Sequence, residues 1–283
     1  MDKFPKRLGY NTLFYLCVVK ITFLGTGTSQ GVPIIGCKCS VCRSRDSKDK
    51  RLRTSVMIEI ITPSLKGEEK KGRFKRFVID TGPDFRQQML REKVDRIDAV
   101  IYTHDHRDHV GGLDDIRGFN FSMKKEVDLY VTHDVQQGIR AQFGYIFKEK
   151  KYPGIPEIAF HTIENKPFSI GGVKFIPILV KHMHLTVYGY RIGGFTYITD
   201  ANFISKEEKK KIYGTEVLVV NALRKETHPS HFTFDEAIAL IKELKPKTSY
   251  LIHMSHQIGL HKEVEKELPA TIRLAYDGLQ INM

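Results

Sequence analysis

Residues 103 to 109 read Thr-His-Asp-His-Arg-Asp-His, so His104, His106, Asp108 and His109 fall within six positions. Neutral imidazole and carboxylate are the donors that divalent zinc, manganese or iron accept. The spacing H-x-H-x-D-H serves two adjacent ions, whereas a loop merely rich in histidine has no reason to adopt it. The apolar run Ala99-Val100-Ile101-Tyr102 before it has the length and β-branched content of a buried strand, and Gly111-Gly112 follows. The cluster is therefore expected on a loop leaving a strand end. Such a cluster is about half a site, and the other strand ends must supply the rest.

Three of them do. His182 follows the run Val173 to Val180, Asp200 follows Phe195 to Thr199, and His253 follows Ser249 to Ile252. Each alone is an ordinary structural residue, but four strand ends sharing one pattern point to a common centre. His184 competes with His182, and spacing alone leaves both open.

Three of the four cysteines fall in Cys37-Lys38-Cys39-Ser40-Val41-Cys42. Such crowding suits a metal knuckle better than a disulfide, with a free-thiol or redox loop as the other reading. Sparse, unpaired cysteine usage implies a reducing, cytoplasmic compartment. The fourth, Cys17, lies in the apolar run Leu13 to Val19, which resembles a signal peptide but lacks a small-residue cleavage site. Residues 1–19 are expected to be an extension without function, and 20–283 a single domain.

The elements that must position these donors can be read from periodicity. Strands are expected at Lys20–Leu24, Ser55–Ile61, Phe74–Ile79, Leu129–Thr132, Ile158–Thr162, Phe168–Ile170, Val173–Val180, Tyr188–Ile192 and Phe195–Thr199, then at Glu216–Asn221, Ser249–Ile252, Thr271–Ala275 and Leu279–Ile281. Helices are expected at Asp84–Glu92, Gly112–Phe121, Val135–Phe147, Lys206–Tyr213, Phe234–Leu244 and Lys262–Leu268. Gly25-Thr26-Gly27-Thr28-Ser29 is a tight turn that could equally cradle a phosphate. Thr62 to Arg73 reads as a polar hairpin or insert. Strands first, then alternating strand and helix, indicate a layered α/β domain.

The 283 residues carry a net charge of +12, which suits an anionic substrate or partner. Much of the excess lies in Arg43–Arg53, Lys66–Arg76 and Lys206–Lys211, each expected to be solvated surface, with nucleic-acid contact the minority reading. No apolar run approaches the ~20 residues of a membrane span.

These residues together resemble the metallo-β-lactamase superfamily of metallohydrolases, whose H-x-H-x-D-H motif stands here as His104 to His109. More narrowly, the chain is similar to the phosphonate-operon cyclic phosphodiesterase group. That likeness rests on Phe23 to Ser29, on Gly31-Val32-Pro33 running into Gly36-Cys37, on Cys37, Cys39 and Cys42, on Ile252 to Gln257, and on Asp277-Gly278. It covers Lys20 to Met283. The resemblance implies a four-layer αββα sandwich with two divalent ions, zinc or manganese, at one edge. One ion would be held by His104, His106 and His182, the other by Asp108, His109 and His253, with Asp200 between them. His182 is preferred to His184 because the family's histidine lies three residues before a Leu, here Leu185. The resemblance also makes Asp80 the carboxylate that orients a ligand imidazole and His256 the fourth partner of Cys37, Cys39 and Cys42 around a structural zinc. His231 would be a non-ligand catalytic histidine, acting with Asp108, and His228 its surface neighbour.

The implied reaction is hydrolysis of a small or cyclic anionic phosphodiester. A ribonuclease Z-like nuclease is the rival. Another ester or thioester hydrolase, or a metal-binding protein that has lost catalysis, is the reading from another class. Nucleic acid is the less favoured partner, no membrane is expected, and a homodimer is left open.

Overall fold

The computed structural model describes residues 18–62, 73–150 and 152–283. The strands are β1 (Val18–Gly25), β2 (Ser55–Thr62), β3 (Arg73–Ile79), β4 (Ala99–Ile101), β5 (Val127–Val131), β6 (Ile158–Thr162), β7 (Phe168–Ile170) and β8 (Val173–His182). They continue with β9 (Leu185–Ile192), β10 (Phe195–Tyr197), β11 (Phe203–Ile204), β12 (Val217–Asn221), β13 (Thr248–Ile252), β14 (Ile272–Leu274) and β15 (Gln280–Asn282). One sheet runs β15-β1-β2-β3-β4-β5-β6 and the other β11-β8-β9-β10-β12-β13-β14, with β7 also paired to β8.

Three apolar layers explain why these strands stack as two sheets. Along β2, Val56, Ile58 and Ile60 join Phe77 and Ile79 of β3 in a core shared with Tyr190, Tyr197, Val219 and Ile252 of the second sheet. The alternate residues Met57 and Val78 turn outward to Phe85, Met89, Val110, Phe119, Val135 and Ile139. Those six belong to helices α2 (Phe85–Arg91), α3 (Arg107–Val110), α4 (Arg117–Met123) and α5 (His133–Gln142), which follow the short α1 (Ser40–Arg43). On the far side, Leu218, Val220 and Leu251 pack on α6 (Lys206–Ile212), α7 (Phe234–Leu244) and α8 (His261–Val264). A strand apolar on both faces must be covered twice, and each fully buried Leu, Ile or Phe contributes about 1.5–3 kcal/mol. The result is the αββα sandwich.

α7 shows how local sequence agrees with this packing. Phe234, Ala237, Leu240, Ile241 and Leu244 are buried at helical spacing. Thr233 and Glu236 form a reciprocal capping box at its start, about 1 kcal/mol for the cap, and Lys245 ends it in the left-handed conformation before Pro246.

Several expectations shift. β1 begins at Val18, pairing with Ile61, so Val18 and Val19 of the expected extension lie within the sheet. Cys17 and most of the insert expected at 62–73 lie outside the described residues. The run Arg43–Arg53 is not solvated surface throughout: Arg51 is 1% exposed. Lys206–Lys211 does face solvent in part, but Lys209, Lys210 and Lys211 pair with Glu243, Glu207 and Glu208. Among the described residues no helix is long and apolar enough to cross a membrane.

The segment Asp80-Thr81-Gly82 after β3 is laced to the histidine loop. Thr81 N–H donates to the His109 carbonyl at 2.7 Å, and Gly112 N–H donates to Thr81 at 2.8 Å. Gly82 permits this approach, since a Cβ there would lie 2.2 Å from the Asp108 carbonyl oxygen. Gly82→Ala is therefore expected to lower stability by about 1–3 kcal/mol and to displace Asp108. Chemical denaturation measures the first effect; an unchanged midpoint would mean that the two segments have room to separate.

Candidate active site

The chain brings its donors together at the edge where strands of both sheets end. β3 and β4 run parallel, as do β10, β12 and β13, so Asp80, His104, Asp200 and His253 leave the sheets at matching ends. Asp80, Asp200 and His253 all adopt left-handed backbone, with φ of 64°, 50° and 55°. For residues with a Cβ this costs about 1–3 kcal/mol each, and it turns each side chain sharply off its strand.

β8 solves the problem differently. His182 pairs with Leu185 in an antiparallel ladder, leaving Met183-His184 as a two-residue turn with Met183 at φ 57°. His182 is thereby buried and held, its Nδ1 2.7 Å from the Ser230 carbonyl, while His184 swings out exposed. The ladder, not the spacing, separates the two.

Asp200 is the centre. Its Oδ1 lies 3.3 Å from His109 Nε2 and 3.2 Å from His253 Nε2, while Oδ2 lies 3.9 Å from His104 Nε2 and 4.0 Å from His231 Nδ1. Asp108 Oδ2 closes the first group at 3.3 Å from His109 and 3.5 Å from His253. On the other side the His106 ring lies 4.6 Å from His104 and 5.2 Å from His182. The expected ligands therefore lie side by side around Asp200, with His109 and His253 at Oδ1, His104 at Oδ2, and the His106 ring beside those of His104 and His182. The ligand atoms of Asp108, His109, Asp200 and His253 lie within 4.8 Å of one another, as do those of His182, Asp200 and His231.

These residues fit cations. Nε2 of His104, His109 and His253 is buried without a hydrogen-bond partner. Leaving such atoms unpaired costs about 1–3 kcal/mol each. His109 Nδ1 is 2.7 Å from Asp80, so in the neutral ring the Nε2 lone pair faces the lone pairs of two carboxylates. Only a proton or a metal relieves that. Burial opposes charge on His109, yet Asp200, Asp108 and Asp80 outweigh it and raise the pKa well above the ordinary histidine value. Burial likewise opposes ionisation of Asp108 and Asp200, but the facing histidines hold both carboxyls well below the usual range. His104 and His182 are pushed down, chiefly by burial, which leaves them as neutral donors.

Supporting contacts lock this geometry. Asp80 accepts Thr103 N–H and Thr103 Oγ1–H, both at 2.8 Å, besides facing His109. Asn221 bridges the N–H and the carbonyl of Ala201 at 2.9 Å, fixing the turn at Asp200. Thr103, Asn221 and Ser230 carried no sequence signal, because each acts on a distant segment: Thr103 on the Asp80 carboxylate, Asn221 on the Ala201 backbone and the Ser230 carbonyl on the His182 ring. His231 was legible, and it is 7% exposed, 4.5 Å ring to ring from His182 and 4.8 Å from His253. His228, expected to be bland, lies 5.1 Å from His231 and contacts the Ser230 hydroxyl, whose residue also holds His182 through its carbonyl.

A second cluster lies beside the first. His256 Nδ1 is 3.4, 3.3 and 3.6 Å from Sγ of Cys37, Cys39 and Cys42. The Cys42 backbone N–H, with help from His256 and the other thiols, lowers Cys39 to about 6, whereas burial raises Cys42 to about 11. Four soft and imidazole donors converging in this way match a closed zinc site.

The β-lactamase superfamily domain family matches residues 75–254. The chain belongs to that family. A crystal structure of a diphosphatase from the PhnP family is 39% identical, with TM-score 0.83 over 94% of this chain and 97% of that one. The chain is thus PhnP-like, with the metallo-β-lactamase fold and clusters suited to divalent metal. An octanoyltransferase from Porphyromonas gingivalis (strain ATCC BAA-308 / W83) is 40% identical over 264 residues, 93% of this chain and 51% of that protein. The chain therefore spans about half the length of the curated relative it matches. The short form of human tRNase Z shares the fold, with TM-score 0.62 and 16% identity over 93% of this chain and 98% of that one.

Cys39→Ser is expected to remove one equivalent of bound zinc per chain and leave the histidine–aspartate cluster loaded. Metal analysis of purified protein measures it, and an unchanged zinc content would mean that the thiols hold no ion.

Proposed function

We propose that this protein hydrolyses a small phosphodiester using two divalent ions, zinc or manganese. One would be held by His104, His106 and His182 and the other by Asp108, His109 and His253, with Asp200 bridging. The observation that carries the reading is Asp200, whose Oδ1 faces His109 and His253 while its Oδ2 faces His104 and His231. Such a pair of ions supplies a nucleophilic hydroxide at neutral pH and positive charge for the phosphoryl oxygens.

The protein's own residues do the rest. Asp80 keeps the His109 ring oriented, and Asp108 stays ionised in its place between His109 and His253. His231 is lowered to about 3, by burial first and then by the charge of His253, so at pH 7 it is neutral and offers one N–H. That N–H would donate a hydrogen bond to the phosphoryl group; protonating the departing alkoxide as the P–O bond breaks would require the imidazolium form, which a bound phosphate anion beside the ring would favour. His231 also lies close enough to His182 and Asp200 to be a ligand. The distinction is measurable: His231→Ala should cut kcat by roughly 10²-fold or more at full metal content. Loss of one metal equivalent would make it a ligand, and near-wild-type turnover would remove it from the reaction.

A small substrate is favoured over RNA by the surface next to His104. A cleft of about 440 Å³ there is bordered by Asp105, Asp134, Glu164, Asn165, His184 and Tyr188. Three carboxylates would repel a continuing phosphate backbone and suit a neutral, hydroxyl-bearing group. The PhnP-family relative adds the diphosphate linkage as a second candidate bond. Octanoyl transfer is not carried over, since the relative so named is matched over only 51% of its length. The unpaired thiols Cys37, Cys39 and Cys42 accord with a reducing, cytoplasmic setting.

The test is a panel on metal-reconstituted protein: an aryl phosphodiester, cyclic ribose phosphates, a dinucleoside diphosphate and precursor transfer RNA. Turnover of the small diesters with the RNA intact is expected. Cleavage of RNA alone would give the site to a nuclease.

A further inference from the structure

Arg51 is the largest of the fully buried side chains, and the reaction has no use for it. Its Nη1 donates to the Ser255 carbonyl at 3.2 Å and its Nη2 to the Gly259 carbonyl at 3.5 Å. The Asp49 carboxylate lies 3.5 Å from Nη2 and also accepts His261 N–H at 2.7 Å. The Arg51 backbone is tied to Val32 by a reciprocal pair of 2.8 Å hydrogen bonds, and Val32 packs on Val41 and Cys42 of the cysteine loop.

Ser255 stands between His253 of the active-site cluster and His256 of the cysteine cluster. Met254 beside it is pinned from the other side, donating to Thr26 and accepting from Thr28 at 3.0 and 3.2 Å. Gly27 lets these strands close up, since a Cβ there would lie 2.7 Å from the Arg51 carbonyl oxygen. One guanidinium therefore grips the turn that joins the two clusters, while its own backbone belongs to the cysteine loop. Stability alone is a poor account of it. Nε has no partner, and apolar residues of similar volume serve as well as a buried ion pair.

We propose that Arg51 is a positioning residue that fixes the turn from His253 to His256 and so couples the cysteine cluster to the active site. The proposal rests on reading both clusters as metal sites. Truncating groups that orient metal ligands commonly costs 10–100-fold in metal affinity or activity. Arg51→Met should lower kcat on an aryl phosphodiester by about that factor with KM little changed. In cobalt-substituted protein it should also weaken the thiolate-to-cobalt charge-transfer absorption of the cysteine cluster. Arg51→Lys, which keeps the charge and one donor, should recover part of both. Wild-type absorption and kcat in Arg51→Met, or no recovery in Arg51→Lys, would overturn the proposal. Should Arg51→Met fail to fold, Asp49→Asn is expected to change the cobalt absorption in the same direction, and no change there is equally fatal. A wild-type protein inert towards every phosphodiester, yet with an Arg51-dependent cobalt spectrum, would reject the functional reading and uphold this one.

Discussion

Three carboxylates converge on one buried imidazole. Asp80 lies 2.7 Å from His109 Nδ1, and Asp108 and Asp200 each lie 3.3 Å from Nε2. Without positive charge among them, this arrangement is electrostatically untenable in a buried setting. Everything else at this edge of the molecule follows from the need to keep anionic oxygens and imidazole lone pairs pointed at the same small volumes. Strained backbone at Asp80, Asp200 and His253 is the cost of doing so.

The two-sheet architecture makes this convergence possible. A strand end is a place where the chain may turn without breaking a ladder, and parallel neighbours place such ends side by side. β4 brings the histidine loop, β10 brings Asp200 and β13 brings His253 to the same rim. The helices on the outer faces hold the sheets rigid, so positions a few ångströms apart in different strands stay in register.

The net charge of +12 already counts every carboxylate, but the basic runs are not uniformly free charge. Arg76 is absorbed by Glu59 and Asp95, the α6 lysines by neighbouring glutamates, and Arg51 by Asp49 inside the protein. The cleft nearest His104 is acidic.

What the sequence determined by itself was chemistry and class. His104, His106, Asp108 and His109 pointed to metal chemistry because metal donors at such spacing have no other common purpose, and the strand-end rule picked out Asp200 and His253, which the fold brings beside His109. A layered α/β domain was legible because apolar runs flanked by amphipathic helices have few ways to bury both faces, and the αββα order came from the family resemblance. Tertiary structure decided the rest. Spacing left His182 and His184 open and the resemblance favoured His182; the β8–β9 ladder supplies the physical reason, because the choice lies in which residue of a hairpin is paired. Only the fold places Arg51 inside, since a guanidinium in a basic run looks solvated until the carbonyls of Ser255 and Gly259, more than 200 positions away, come to meet it. Thr103, Asn221 and Ser230 were silent for the same reason. Their partners are the Asp80 carboxylate, the Ala201 backbone and the His182 ring, all on distant segments, and no local pattern records them.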